Sequence, residues 1–166
     1  MYEDKIKSRL ELKKIVEDLR KKNPKIKIVT TNGAFDIIHV GHIISFVKAK
    51  SYGDILIIGL NSDSSIKQYK SKDRPINPQE DRAIMLAALE CVDYVTIFDE
   101  TDPREFLKVV KPDFHVKSRS GYKGLEEEVV KSNVGKIILL DDIAGKSTTQ
   151  LIEKIIKIYN NENKNK

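Results

Sequence analysis

The sequence predicts a single α/β domain: a doubly wound, mainly parallel, five-stranded sheet with helices on both faces. Three observations carry that expectation. Short β-branched runs alternate with longer stretches whose apolar residues recur at helical spacing. The runs Ile55 to Leu60 and Ile137 to Leu140 are apolar without alternation, so both faces of those strands are covered. The chain has 166 residues, enough for one domain with its own core. Neither a linker nor an internal repeat divides it. The domain is expected over 1–160, with 161–166 a polar, disordered tail.

The elements follow in order. "RLELKKIVEDLRKK" places Leu10, Leu12, Ile15, Val16 and Leu19 near one helical stripe. "IKIVTT" is a short strand. "GHIISFVKAKSYG" is a helix that stops by Gly53. "DILIIGL" is a buried strand. "NPQEDRAIMLAALE" is the strongest helix, with Pro78 near its start. "DYVTIF" is a strand and "DPREFLKVV" a helix. "DFHVKS" is a strand, "GLEEEVVKS" a helix, "KIILLD" the fifth strand and "STTQLIEKIIKIY" the closing helix. This Rossmann-like arrangement binds ligands beyond the carboxyl ends of its strands, where the strand order reverses.

Composition narrows the function. The net charge is +5, but the lysines are interleaved with Asp and Glu, as on solvated helix faces. Aromatic residues are few and do not alternate with Lys or Arg, so a nucleic-acid surface is not expected. A modest basic excess also suits a substrate with several phosphates. One cysteine, Cys91, rules out an internal disulfide and a thiolate metal cluster. The N-terminus has no apolar signal region and no run is long enough to span a membrane. A cytoplasmic location is expected.

The most informative stretch is "NGAFDIIHVGH", Asn32 to His42, where the first strand gives way to a helix. Gly33 and Gly41 allow a turn or a close backbone approach. A helix N-terminus offers free N–H groups to phosphate. His39 and His42 are neighbours once a helical turn forms, and two imidazoles can donate to phosphate oxygens and hold developing charge. Two surface histidines, or two metal ligands, have the same spacing. No cysteine or third histidine lies nearby to complete a metal set, and no protein-held metal is expected.

"GKSTTQ" opens the last helix. Ser147 and Gln150 fit a capping box, and Ser147, Thr148 and Thr149 also present hydroxyls at a helix N-terminus, with Lys146 beside them. Asp63 fits a helix cap. Asp36 can satisfy N–H groups in its own turn or help place a magnesium ion. Lys67, Lys70, Lys72, Arg74 and Arg82 surround a loop rich in Pro and Asn, which read alone is solvated charge.

His39-Val40-Gly41-His42 resembles the HxGH signature of the nucleotidylyltransferase superfamily. "TNGAFDIIHVGH", "GDILIIGLNSD", "RPINPQEDRAIMLAALECVDYVTIF", "KPDFHVK" and "GKSTTQLIEKI" are similar, in order and spacing, to the bacterial D-glycero-β-D-manno-heptose 1-phosphate adenylyltransferases. The match runs from about Leu10 to Ile156. The resemblance implies transfer of AMP from ATP to a sugar 1-phosphate, giving an ADP-sugar and pyrophosphate with Mg2+ as cofactor. It implies catalytic roles for His39, His42, Lys70 and Arg74. It implies nucleotide contacts from Thr31, Asn32, Gly33, Ala34, Phe35, Gly41, Asn61, Asp63, Arg82, Ser147, Thr148 and Thr149. Acceptor contacts are expected from Asp36, Lys117 and Arg119. A homodimer is expected, and any sugar kinase of the pathway is expected to be a separate protein. Two departures stand out. Ser118, Arg119 and Ser120 replace a glycine-rich, acidic segment after "VK", and Ala34 stands where cysteine is common. An alternative from the same enzyme class is a cytidylyltransferase using CTP and glycerol 3-phosphate or a related polyol phosphate. An alternative from another class is a non-catalytic nucleotide-binding subunit, which would bind ATP without releasing pyrophosphate.

Overall fold

The computed structural model describes residues 1–164. A 3-10 turn, Tyr2–Lys5, precedes α1, Arg9–Lys22. Ser8 starts α1 with a capping box: Glu11 N–H donates to the Ser8 hydroxyl, and Ser8 N–H donates to the Glu11 carboxylate at 2.8 Å. Leu12 and Val16, one turn apart, are the buried residues of α1; Leu10 points away and is 66% exposed.

Five strands form one sheet: β1 Ile28–Gly33, β2 Ile55–Asn61, β3 Tyr94–Phe98, β4 Phe114–Ser118 and β5 Lys136–Leu140. The order is β3-β2-β1-β4-β5 and every pairing is parallel. The chain builds outward from β1 through β2 to β3, then returns to the other side of β1 for β4 and β5. The order therefore reverses between β1 and β4, and a crevice opens at their carboxyl ends. At the β3 edge Lys7 N–H donates to the Val95 carbonyl at 2.9 Å, so the N-terminal segment covers part of an otherwise open strand.

The remaining helices are α2 Val40–Lys50, α3 Asp63–Tyr69, α4 Gln79–Ala87, α5 Arg104–Val110, α6 Glu127–Ser132 and α7 Thr148–Lys164. α3 is not among the elements read from the sequence; it is short and polar apart from Ile66 and Tyr69, and Ser62 rather than Asp63 caps it. α7 takes in 161–164, because no glycine or proline follows Thr148 to stop it. The end of the expected tail, 165–166, lies outside the described residues.

Each face of the sheet has its own core. On one, Val29, Leu56, Ile58, Leu60, Val95 and Val116 pack against Phe46 and Ala49 of α2 and Ala83, Leu86 and Ala87 of α4. On the other, Ile28, Ile57 and Phe98 pack against Leu12 and Val16 of α1, Phe106, Leu107 and Val110 of α5, and Val129 and Val130 of α6. Consecutive residues such as Ile28 and Val29 point to opposite cores, which is why the strand runs do not alternate with polar residues.

Thr30 and His115 are register partners in the middle of this sheet, and Thr30 Oγ1 lies 2.8 Å from His115 Nδ1. His115 is fully buried; burial first, and the Lys117 ammonium second, push its pKa down to about 3. A histidine held neutral in the fold binds fewer protons than the unfolded chain between that value and about 6.5. Its contribution is complete above about pH 6.5 and is lost as pH falls.

Two outcomes follow from this packing. Leu12→Ala should cost about 2–5 kcal/mol in urea unfolding, whereas Leu10→Ala should stay within about 0.5 kcal/mol. Between pH 7 and pH 5 the wild type should lose about 2 kcal/mol more stability than His115→Gln, measured in the same way.

Candidate active site

The crevice between β1 and β4 is built around the turn joining β1 to α2. Phe35 takes a left-handed φ of 45° there, an uncommon conformation for a bulky residue. Its ring packs edge-on against His42 and Phe46, with centroids 5.4 and 5.1 Å away. A side chain on Gly33 would meet the Phe35 ring at 3.0 Å and press it aside. Gly41 is more constrained. Its Cβ would stand 2.9 Å from the His39 imidazole and 3.0 Å from the Lys146 carbonyl. The glycine between the histidines thus lets one imidazole and the loop before α7 close over the start of α2.

The two imidazoles are fixed by the backbone. His39 caps α2: Gly41 N–H donates to His39 Nδ1 at 3.2 Å. His39 N–H in turn donates to His42 Nδ1 at 3.4 Å. With both Nδ1 atoms accepting, the hydrogen-bond pattern assigns the proton of each neutral ring to Nε2. The rings stack with centroids 3.8 Å apart. Burial lowers the pKa of His39; burial, then His39 and Lys70, lower that of His42 to about 4. At neutral pH the site therefore presents two neutral Nε2–H donors.

A second loop, carrying Lys70 and Arg74, is tied to this turn through Asp36. The buried Asp36 carboxylate accepts from Arg74 Nη1 at 2.9 Å, Ile76 N–H at 2.8 Å and Asn77 N–H at 2.9 Å. Burial works to raise its pKa, but those N–H groups and the guanidinium outweigh it and hold the carboxyl below its usual range. Asp36 lines the cavity, yet its carboxylate is already engaged in placing the loop, which differs from the acceptor contact expected of it. Lys70 ends α3 in the same cavity, its pKa lowered by burial and partly restored by Asp36.

Arg82 corrects an expectation. It was expected to face the nucleotide, but it is fully buried. Its guanidinium donates to the carbonyls of Asn77 at 3.0 Å, Ala34 at 2.6 Å and Asn61 at 2.9 Å, and to the Asp63 carboxylate at 2.7 Å. Four backbone and side-chain acceptors use it from the inside, which removes both Arg82 and Asp63 from the cavity walls.

Three adjoining cavities result. The central one, about 470 Å³, is lined by Gly33, Ala34, Phe35, Asp36, His42, Lys70, Ser71, Arg74, Thr148 and Thr149. Ser147 caps α7 by accepting from Gln150 N–H at 3.2 Å, so the N–H groups of Thr148 and Thr149 precede the first intrahelical bond and open the helix end toward this space. His42 and Thr148 also border a second cavity of about 230 Å³, with His39, Gly41, Ser45, Ser118, Asp141, Asp142, Lys146 and Ser147. Gly33 borders a third, about 180 Å³, on the other side of β1, with Asn32, Asn61, Lys117 and Glu126.

The structure thus brings together His39, His42, Lys70, Arg74, Asn32, Gly33, Ala34, Phe35, Gly41, Asn61, Lys117 and the Ser147–Thr149 segment. It does not bring in Thr31, buried in β1, or Arg119, which is mostly exposed and pairs with Asp141 at 2.9 Å. Sequence reasoning missed Ser45, Ser71, Asp141, Asp142 and Glu126. Position directly after β5 marked the two aspartates; nothing local marked the others. Among the described residues no three His, Cys, Asp or Glu side chains converge as a metal cage.

Arg82→Leu would leave a half-buried carboxylate and three carbonyls without their donor. Urea unfolding of that variant should show a loss of about 3–5 kcal/mol.

Comparison with known proteins agrees with this geometry. Residues 30–163 match the cytidylyltransferase-like family. The chain is similar to the bifunctional protein HldE of a Nitratiruptor species, 51% identical over 154 residues, covering 92% of the chain and 32% of that protein. It is similar to the bifunctional protein HldE of Campylobacter concisus at 46% identity over 164 residues, 98% of the chain and 33% of that protein. The chain spans about a third of the length of these relatives. The crystal structure of a lipopolysaccharide core biosynthesis protein from Thermoplasma volcanium GSS1 superposes with a TM-score of 0.63 at 25% identity, covering 71% of this chain and 98% of that one. Pantoate-beta-alanine ligase from Francisella tularensis, complexed with beta-gamma ATP and beta-alanine, shares the fold at a TM-score of 0.58 and 18% identity, covering 82% of this chain and 66% of that one. With the match running from β1 through almost all of α7, the chain belongs to the cytidylyltransferase-like family.

Proposed function

We propose that this chain transfers AMP from ATP to a sugar 1-phosphate, D-glycero-β-D-manno-heptose 1-phosphate, giving an ADP-sugar and pyrophosphate. One observation carries the reading. The fixed, neutral His42 shares a cavity with the Lys70 ammonium, the Arg74 guanidinium and the open N-terminus of α7, and His39, stacked on it, borders the adjoining cavity. Such a set suits a polyphosphate rather than a single charge. The sequence resemblance to the heptose 1-phosphate adenylyltransferases and the similarity to HldE proteins support the choice of acceptor.

In this reading the triphosphate lies in the central cavity and the nucleoside beside Ser118, Asp141 and Asp142. The acceptor enters from the side of Lys117. An acceptor phosphate oxygen forms a bond to the α-phosphorus, and the bond from that phosphorus to the β-phosphate oxygen breaks, its electron pair leaving with pyrophosphate. The acceptor is already an anion, so no protein base is required. Catalysis rests on alignment and on donors aimed at the charge as it develops. His39 and His42 hold the α-phosphate oxygens, and Thr148, Thr149, Lys70 and Arg74 hold the departing phosphates. Magnesium would enter with the triphosphate and, when bound, would offset phosphate charge. A homodimer in the cytoplasm completes the proposal; the exposed apolar residues Val40, Ile44 and Val47 on α2 are the kind of surface a subunit contact covers.

The family description gives weight to a second reading, a cytidylyltransferase using CTP and a polyol phosphate. Pyrophosphate release, measured for ATP and CTP against heptose 1-phosphate and glycerol 3-phosphate, separates the two. ATP with heptose 1-phosphate should be the productive pair; release only with CTP and glycerol 3-phosphate would replace it by the alternative. ATP binding with no release for any acceptor would mark a non-catalytic subunit. His39→Ala and His42→Ala should each lower kcat by roughly a hundredfold or more, the loss of one donor to a developing charge. Near-normal turnover in either variant would remove these roles.

A further inference from the structure

Beyond β1 from the histidines, Lys117 and Glu126 form an ion pair that the catalytic scheme above leaves unexplained. Lys117 Nζ donates to Asn32 Oδ1 at 3.0 Å and lies 3.6 Å from Glu126 Oε1, with side-chain exposures of 13% and 5% for lysine and glutamate. Glu126 Oε2 is buried and has no hydrogen-bond partner in the structure. A buried carboxylate without a full set of donors is costly, and it needs a reason to persist. Glu126 is not a loose side chain. It is the residue that caps α6, its carbonyl accepts from Val130 N–H at 3.0 Å, and Val129 and Val130 anchor that helix in the core.

We infer that Glu126 is a positioning residue that holds the Lys117 ammonium charged and aimed into the cavity beside Gly33, where it meets the phosphate of the acceptor. The inference rests on the acceptor side assigned above. The surroundings of Lys117 explain why it needs help. Burial pushes its pKa down, and Glu126 pulls it back up. His115, two residues earlier in β4, is neutral and adds no negative charge. Asn32 of β1 offers only a dipole. The cavity's other ionisable residues are Asp102 before α5, Tyr69 of α3 and Lys123 of the loop before α6. Among the described residues Glu126 is the carboxylate that pairs with the Lys117 ammonium, whereas Asp102 pairs with Arg104. Acceptor binding is therefore strong below the pKa of Lys117 and lost above it. Removing the Glu126 charge moves that limit to lower pH.

The test is the pH profile of steady-state kinetics between pH 6 and 9 for the full chain, with Glu126→Gln, Glu126→Asp and Lys117→Met. Glu126→Gln should move the alkaline rise in the acceptor KM to lower pH, by roughly tenfold in KM for each unit by which the Lys117 pKa falls, with little change on the acid side. KM for ATP should not move. Glu126→Asp should restore most of the wild-type profile, and Lys117→Met should raise the acceptor KM at every pH. An equal penalty at all pH values, or a parallel rise in the KM for ATP, would overturn the role. A direct titration keeps the inference separate from the reaction itself. NMR of 13Cε-labelled lysine should show a lower Lys117 pKa in Glu126→Gln than in the wild type, and an unchanged pKa would refute the inference even if the wild type is active. If the wild type turns over no sugar phosphate, the functional reading fails while this titration still decides what Glu126 does.

Discussion

The buried guanidinium of Arg82 is the constraint on which the site depends. It joins the carbonyl of Ala34 in the β1–α2 turn, that of Asn61 at the end of β2, that of Asn77 in the loop carrying Arg74, and the carboxylate opening α3. Three segments distant in sequence are thereby held at one edge of the sheet. Asp36 repeats the logic on a smaller scale, taking Arg74 and two N–H groups from the same loop. A cationic loop near a polyphosphate would otherwise be free to swing into water. Here it is fastened from below, and its remaining charge faces the cavity.

The same division of labour governs the histidines. A charged imidazole would attract phosphate more strongly, but burial and a cationic neighbour keep His42 neutral. Neutrality fixes the role of each ring nitrogen, because Nδ1 is committed to a backbone N–H and Nε2 is left to donate. Cationic charge comes instead from Lys70 and Arg74, around the rim. Orientation and charge are thus supplied by different residues, which suits a reaction whose nucleophile arrives already ionised.

Much of this was legible in the sequence. Unbroken apolar strands specified a parallel sheet buried on both faces, and the strand order then placed Asn32–His42 at the crevice. The capping pattern at Ser147 survives as both a cap and an open helix end. What stayed hidden has a common cause: a charged residue does not announce its partner. Arg82 lies on the inner face of α4, yet only coordinates show that its inner neighbours are carbonyls rather than a ligand. Asp63 follows it into that network. Glu126 is the first of three consecutive glutamates, Glu126 to Glu128, and only the approach of Lys117 across the sheet edge separates it from its neighbours. α3 was missed because seven residues with one buried aliphatic side chain carry too little periodicity to register.

The most direct measurement is 15N NMR of histidine-labelled protein at neutral pH, before and after adding a non-hydrolysable ATP analogue with magnesium. His39 and His42 should both be neutral and protonated on Nε2, and both Nε2 signals should move when the analogue binds. Rings protonated on Nδ1, or Nε2 signals that ignore the bound nucleotide, would contradict it.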